Sequence, residues 1–109
     1  MSKNLSIEVS PSRVENISKI FNALGNPVRL RILLMVQNTR RPLHIKAISR
    51  ELKVDYAAVY RHVEILREAG LLEIFEVGRS RVLSLADPTL LSEFLGRVEK
   101  AGSTLSLKS

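Results

Sequence analysis

The chain has 109 residues, enough for one domain with a modest core, and its 45% apolar and 26% charged residues are typical of a globular protein. It contains no cysteine, which excludes disulfides, thiolate metal sites and a cysteine nucleophile. No apolar run approaches the roughly 18 residues of a membrane span, and the first residues lack the apolar core of a secretion signal. We therefore expect a soluble protein that stays inside the cell, without a membrane partner.

Basic residues outnumber acidic ones, and the excess is unevenly distributed. Seventeen Lys and Arg against eleven Asp and Glu give a formal charge of +6. Residues 39–61 hold six basic and two acidic side chains, whereas residues 87–109 hold three of each. This charge favours a polyanionic partner such as nucleic acid, with a generally solvated basic surface as the alternative.

The first predicted element is a helix over residues 12–24, where apolar residues recur at spacings of three and four. Ser12 and Glu15 stand three apart, which is the spacing of a capping box. Gly25 is expected to end this helix, and residues 1–11 precede it as an N-terminal arm.

The second predicted helix begins at Asn26-Pro27, a capping side chain followed by proline at the first helical position. Its residues 28–36 are apolar on nearly every side, so we expect it at the centre of the fold. The polar, proline-containing residues 37–42 predict a loop.

A short helix over residues 45–52 and a longer one over residues 56–69 are predicted next. Residues 53–55 form the tight turn between them, with Asp55 as the expected N-cap and Gly70 as the stop of the second helix. Two helices joined in this way are the helix-turn-helix unit, which places its second helix in the DNA major groove.

The remaining residues predict a β-hairpin and a last helix. Residues 71–77 and 81–85 are rich in branched and aromatic side chains and flank Gly78-Arg79-Ser80. Asp87-Pro88 opens the last helix. The predicted fold is therefore mainly α with a small β-hairpin (α+β), a winged helix-turn-helix in α-α-α-α-β-β-α order. It spans residues 12–100, and a flexible tail follows over 101–109.

One side of the helix over residues 56–69 is predicted to face DNA. At 100° per residue, Val59, Val63 and Leu66 share the side that packs on the core. Arg61, on the other side, can give two parallel hydrogen bonds to a guanine edge, while the tyrosines can donate to phosphates or cover a neighbouring element. The residues expected to meet the groove are Tyr56, Ala57, Tyr60, Arg61 and Glu64.

Basic residues outside that helix are candidates for backbone contacts. Lys46, Arg50 and Lys53 could reach phosphates from the preceding helix and turn. Arg79 and Arg81 in the hairpin, the wing of this fold, could reach the minor groove or the adjacent backbone. Simple solvation is the alternative for such loop arginines.

Three stretches of the chain resemble the ArsR-type winged-helix regulators: FNALGNPVRLRILLMV, AISRELKVDYAAVYRHVEILREAGLL and EVGRSRVLSL. They cover roughly residues 20–85, and NPVRLRIL and VYRHVEILREAGLL are the most specific parts. The resemblance implies a homodimeric repressor that pairs through its first and last helices. The residues that would form that interface are Val14, Ile17, Phe21, Leu91, Phe94, Leu95 and Val98.

This chain differs from the metal-sensing members of that family in its candidate metal ligands. Many of those members bind metals through cysteines at the helix equivalent to residues 45–52, or through carboxylates and histidines on the last helix. This chain has no cysteine, and residues 90–100 contain no histidine, so neither a metal nor another cofactor is expected. His62 matches a histidine common in the family, and we expect it to be structural. His44 is expected to cap a helix or to face solvent.

The predicted function is sequence-specific binding of double-stranded DNA by a homodimer, with repression by promoter occlusion implied by the resemblance. The resemblance also implies a cytoplasmic, nucleoid-associated protein of a prokaryotic cell or its virus. A winged-helix module that binds protein is the alternative, because the same fold serves both roles. An enzyme is not expected, since no nucleophile with a base, carboxylate pair or phosphate-cradling glycine loop is apparent. The sequence identifies no small-molecule effector.

Overall fold

The computed structural model describes the backbone of residues 7–39 and 41–108, and the side chains of these residues up to 103. The described part contains five helices and a small antiparallel sheet, which confirms the predicted fold class. The elements are α1 (Pro11–Leu24), α2 (Pro27–Asn38), β1 (Leu43–His44), α3 (Ile45–Leu52), α4 (Tyr56–Glu68), β2 (Leu72–Val77), β3 (Ser80–Leu85) and α5 (Pro88–Lys108).

The first two helices begin at polar caps followed by proline. Ser10 caps α1, and its hydroxyl accepts a hydrogen bond from the backbone N–H of Arg13 at 3.3 Å. The predicted capping box at Ser12 was wrong, because the helix begins earlier, at the proline that follows Ser10. Asn26 caps α2 as predicted, and its side-chain oxygen accepts from two backbone N–H groups at 2.9 and 3.1 Å.

The turn between α3 and α4 has the predicted length and contains one residue with a left-handed backbone conformation. Lys53 adopts a left-handed conformation with φ of 55°, which is uncommon for a residue with a side chain. Asp55 occupies the N-cap position of α4, yet its side chain makes no capping hydrogen bond, so that part of the prediction was wrong. Gly70 has φ of 80° just beyond α4 and ends the helix as predicted.

The hairpin pairs β2 with β3, and a third strand that the sequence did not predict lies on the other side of β3. Ser80 belongs to β3 rather than to the loop, so Gly78 and Arg79 alone connect the strands. A two-residue connection with glycine first favours a type II′ turn. In the third strand, β1, Leu43 pairs with Leu83.

The last helix begins as predicted and continues further than predicted. A carboxylate oxygen of Asp87 accepts from the backbone N–H of Leu90 at 3.0 Å. The backbone is helical through residues 101–108, so the predicted end of the helix at residue 100 was wrong. Residues 1–6 of the predicted arm and residue 109 of the predicted tail lie outside the described residues.

The core lies between α2, α3, α4 and the sheet. Val59, Val63 and Leu66 are fully buried and anchor α4, as predicted, and burial of each contributes about 1.5–3 kcal/mol. This anchoring fixes which side of α4 faces outward. The other fully buried aliphatic side chains of comparable size are Ile32, Leu33, Ile45, Ile48, Leu72 and Leu83.

A buried arginine joins α1, α2 and α4. Arg29 is only 8% exposed, and its Nε and Nη2 donate to the carbonyls of Ala23 and Asn22 at 2.8 and 2.9 Å. Its Nη1 lies 3.2 Å from Nδ1 of His62 on α4. Burial, followed by the nearby arginine charges, lowers the pKa of His62, so the neutral ring accepts at Nδ1. The contact confirms the predicted structural role of His62.

Candidate nucleic-acid interface

The side of α4 opposite its buried anchor is open to solvent in the single chain. Ala57 and Arg61 are exposed, Tyr56 is 37% exposed, and Tyr60 and Glu64 are half-buried. The guanidinium of Arg61 makes no hydrogen bond or ion pair with any described residue. A charged side chain free on an exposed helix face is available to a partner.

The wing contacts this exposed side directly through Arg81. The guanidinium carbon of Arg81 lies 4.6 Å from the ring centroid of Tyr60, a cation–π contact. Its Nη1 donates a long hydrogen bond of 3.5 Å to the hydroxyl of Tyr56, and its Nε lies 3.9 Å from a carboxylate oxygen of Glu76. Tyr60 thus partly covers a neighbouring element, the alternative that sequence left open, and it positions a wing arginine.

Glu64 is occupied by partners within its own helix. Its carboxylate accepts a hydrogen bond from the guanidinium of Arg67, one turn further along α4. A hydrogen bond with the same carboxylate is the main cause that raises the pKa of the Tyr60 phenol. Glu64 therefore acts on Tyr60 as well as on Arg67, and both of these residues lie on α4. Ala57, Arg61 and Tyr56 remain the most accessible groups of the predicted set.

A basic pocket of about 340 Å³ lies where α3, α4 and the wing meet. It brings together Lys46, Arg79 and Arg81, which the sequence predicted as backbone contacts, with Tyr56 from the start of α4. Arg50 and Lys53 are exposed but do not line it. His44 and Ser80 complete the lining; sequence reasoning missed them because β1 pairing and the hairpin register place them there.

The predicted dimer residues lie mostly on one exposed apolar surface of α1 and α5. Val14, Ile17, Phe21 and Val98 are 42–58% exposed, which marks a surface suited to a protein partner. Ring centroids of Phe21 and Phe94 lie 6.2 Å apart, and Phe94 and Leu95 line a groove of about 370 Å³ beside them. We call these exposed residues and the groove the apolar surface.

Leu91 was wrongly predicted to lie on that surface. It is only 5% exposed and packs within the core of its own chain, so little of it is left for a second subunit. Leu30 and Leu34 of α2 also line the groove, and Leu34 is 42% exposed. Helical periodicity assigned α2 entirely to the core, and for that reason it missed them.

The described residues contain neither a cluster of metal-ligating side chains nor a helix that could span a membrane. Nowhere in residues 7–39 and 41–108 do three or more His, Asp or Glu side chains lie together as metal ligands would. Within the same part of the chain, every helix is too short or too polar to cross a membrane.

The α3–α4 pair followed by an antiparallel hairpin defines a winged helix-turn-helix domain. A family model described as a helix-turn-helix domain matches residues 24–74. The chain is 34% identical over 79 residues to a transcriptional repressor SmtB homolog of Synechocystis, covering 72% of this chain. It is 32% identical over 84 residues to the transcriptional repressor SmtB of Mycobacterium tuberculosis, covering 77% of this chain. The chain spans 58% and 61% of the length of these two relatives.

A solved structure has the same fold. The homodimeric winged helix-turn-helix DNA-binding domain of a possible ArsR-family regulator from Mycobacterium bovis superposes with a TM-score of 0.74 at 18% identity. The match covers 92% of this chain and 94% of that one. Fold, helix-turn-helix match and repressor relatives together confirm the resemblance to the ArsR-type winged-helix regulators.

Proposed function

We propose that this protein binds specific sites on double-stranded DNA as a homodimer and regulates transcription. The observation that carries the proposal is the exposed side of α4, which presents Arg61 without an internal partner while three buried side chains hold the helix on the core. The basic pocket beside it supports the same function, and so does the similarity to two transcriptional repressors.

In the proposed complex, α4 lies in the major groove and the wing reaches the adjacent backbone or minor groove. Arg61 forms two hydrogen bonds with a guanine edge, and the small side chain of Ala57 allows close approach of the helix. Arg50 and Lys53 contact phosphates at the rim of the groove. Arg79 extends from the wing toward the next phosphates or the minor groove.

Two subunits pair through the apolar surface, so that their α4 helices enter successive major grooves roughly 34 Å apart. The description of the Mycobacterium bovis structure as homodimeric supports this assembly. Occupying a partly palindromic promoter in this way blocks access to it, and repression in the prokaryotic cytoplasm is the expected outcome.

The test compares two duplexes, one recovered by selection from random-sequence DNA and one of unselected sequence, by fluorescence anisotropy. Arg61→Ala should weaken binding to the selected duplex by about 1–3 kcal/mol more than binding to the unselected one. The matched control is Arg97→Ala, which removes an exposed arginine of α5, and should leave the preference unchanged.

Two results would contradict the proposal. Equal losses on both duplexes would reduce Arg61 to a phosphate contact. Absence of salt-dependent DNA binding in the unaltered protein would favour the protein-interaction module instead, since DNA affinity falls steeply with salt.

A further inference from the structure

We propose that the basic pocket binds a single phosphodiester group of the DNA backbone, held jointly by Lys46, Tyr56 and Arg81. This inference rests on the proposed DNA binding and adds a defined contact that sets the register of α4 in the groove. The phosphate belongs to the backbone of the same duplex that α4 contacts.

The cationic side chains around the pocket favour the binding of an anion. Lys46, Arg79 and Arg81 converge on a space of about 340 Å³, and none of the six residues that line it is acidic. Cations gathered in this way repel one another until an anion fills the space between them. Glu76 lies 3.9 Å from Arg81, but its side chain is 75% exposed and it does not line the pocket.

The hydrogen-bonding groups of the pocket match a phosphodiester, whose two non-bridging oxygens only accept. The Tyr56 hydroxyl accepts from Nη1 of Arg81 at 3.5 Å, so its own O–H remains available as a donor. A hydroxyl that accepts from a cation is polarised and becomes a stronger donor. The Lys46 ammonium and the Ser80 hydroxyl supply further donors around the same space.

Arg81 is positioned before any ligand arrives. Its guanidinium carbon lies 4.6 Å above the ring centroid of Tyr60, which limits the orientations of the planar group. A guanidinium fixed in this way loses less conformational entropy when it binds a phosphate oxygen. Tyr60 is therefore a positioning residue for this pocket, and it acts through Arg81.

The location of the pocket explains what such a contact would do. Lys46 comes from the start of α3, Tyr56 from the first residue of α4, and Arg81 from β3 of the wing. One phosphate held by all three elements fixes the N-terminal end of α4 relative to the backbone. Phosphate contacts of this kind set register, while base contacts supply specificity.

The first test measures affinity against salt for Lys46→Met, Tyr56→Phe and the matched control Lys19→Met, an exposed lysine of α1. Lys46→Met should weaken the selected and unselected duplexes by the same factor. It should also lower the slope of log affinity against log salt by about 0.9 per lost contact. Tyr56→Phe should weaken both duplexes equally with little change of slope, because it removes no charge. Lys19→Met should change neither quantity.

The second test replaces one backbone phosphate at a time in a selected half-site with an uncharged methylphosphonate. The unaltered protein should lose about tenfold in affinity at one position, as expected for a lost charged hydrogen bond. The same replacement should cost Lys46→Met almost nothing more, because its partner is already gone. If the losses from the variant and from the methylphosphonate simply multiplied at every position, the pocket would hold no backbone phosphate.

Inorganic phosphate at constant ionic strength separates a free anion from the DNA backbone. Saturable shifts of the Tyr56 and Lys46 NMR signals at micromolar phosphate, with DNA affinity untouched by Lys46→Met, would assign the pocket to a free phosphate and overturn the inference. Binding of the unaltered protein to no duplex at all would overturn the proposed function as well. Multiplicative losses with normal DNA binding would overturn only the assignment of the pocket.

Discussion

Replacing Arg29 with methionine should lower the free energy of unfolding by about 3 kcal/mol. The buried guanidinium donates to two carbonyls in the last turn of α1 at 2.8 and 2.9 Å, and a hydrogen bond from a charged donor contributes about 1.5–3 kcal/mol. Methionine keeps most of the apolar stem, so the cavity left behind is small. The variant also loses the third contact of Arg29, to His62. It no longer buries a charge, however, and this gain in stability offsets that loss.

Urea unfolding followed by far-UV circular dichroism measures this loss, at one protein concentration because dimerisation would shift the midpoint. With a slope of about 1.5 kcal/mol per molar urea, the midpoint should fall by about 2 M. The matched control is Arg31→Met, which removes an exposed arginine from the same helix and should change stability by less than about 0.5 kcal/mol. Equal midpoints for the two variants would refute the argument that Arg29 holds α1 to the rest of the fold.

Three further outcomes are expected. Because burial and nearby arginines lower the pKa of His62 from 6.5, its contribution to stability is complete above that pH and is lost as the pH falls through the lower folded pKa. The free energy of unfolding of His62→Gln should therefore fall less in acid than that of the unaltered protein. Parallel plots of this free energy against pH for the two proteins would contradict the expectation. Gly70→Ala should lower the free energy of unfolding by about 1–2 kcal/mol in thermal or urea unfolding, because φ is 80° at this position. Gly96→Ala inside α5 should instead raise it by up to about 1 kcal/mol. Phe21→Glu should give monomers in sedimentation velocity. Val77→Glu, at an equally exposed position in the wing, should leave dimers. A dimeric Phe21→Glu protein would argue against the apolar surface as the dimer interface.

Local signals in the sequence were enough to predict most elements of the fold. Asn26 precedes a proline, and Gly70 follows an amphipathic run, so both ends of those helices have a chemical cause within a few residues. The buried side of α4 followed from helical spacing alone. The predicted capping box at Ser12 failed because Ser10-Pro11, with equal capping chemistry, lies two residues earlier.

The features that sequence missed depend on residues far apart in the chain. β1 has only two residues and exists because it pairs with β3. Arg29 is buried because backbone carbonyls and a ring nitrogen of His62 surround its guanidinium, and none of those groups leaves a pattern around position 29. The contact of Arg81 with Tyr60 likewise requires the wing to fold back on α4.

Selection of bound duplexes from a random-sequence library measures whether the exposed side of α4 recognises base sequence. We expect enrichment of a partly palindromic motif whose half-sites are centred about 10 base pairs apart, or a multiple of that spacing. Arg61→Ala should lose this enrichment while keeping salt-dependent binding to unselected DNA. Recovery of no motif by the unaltered protein, or of the same motif by Arg61→Ala, would contradict the assignment of base recognition to the exposed side of α4.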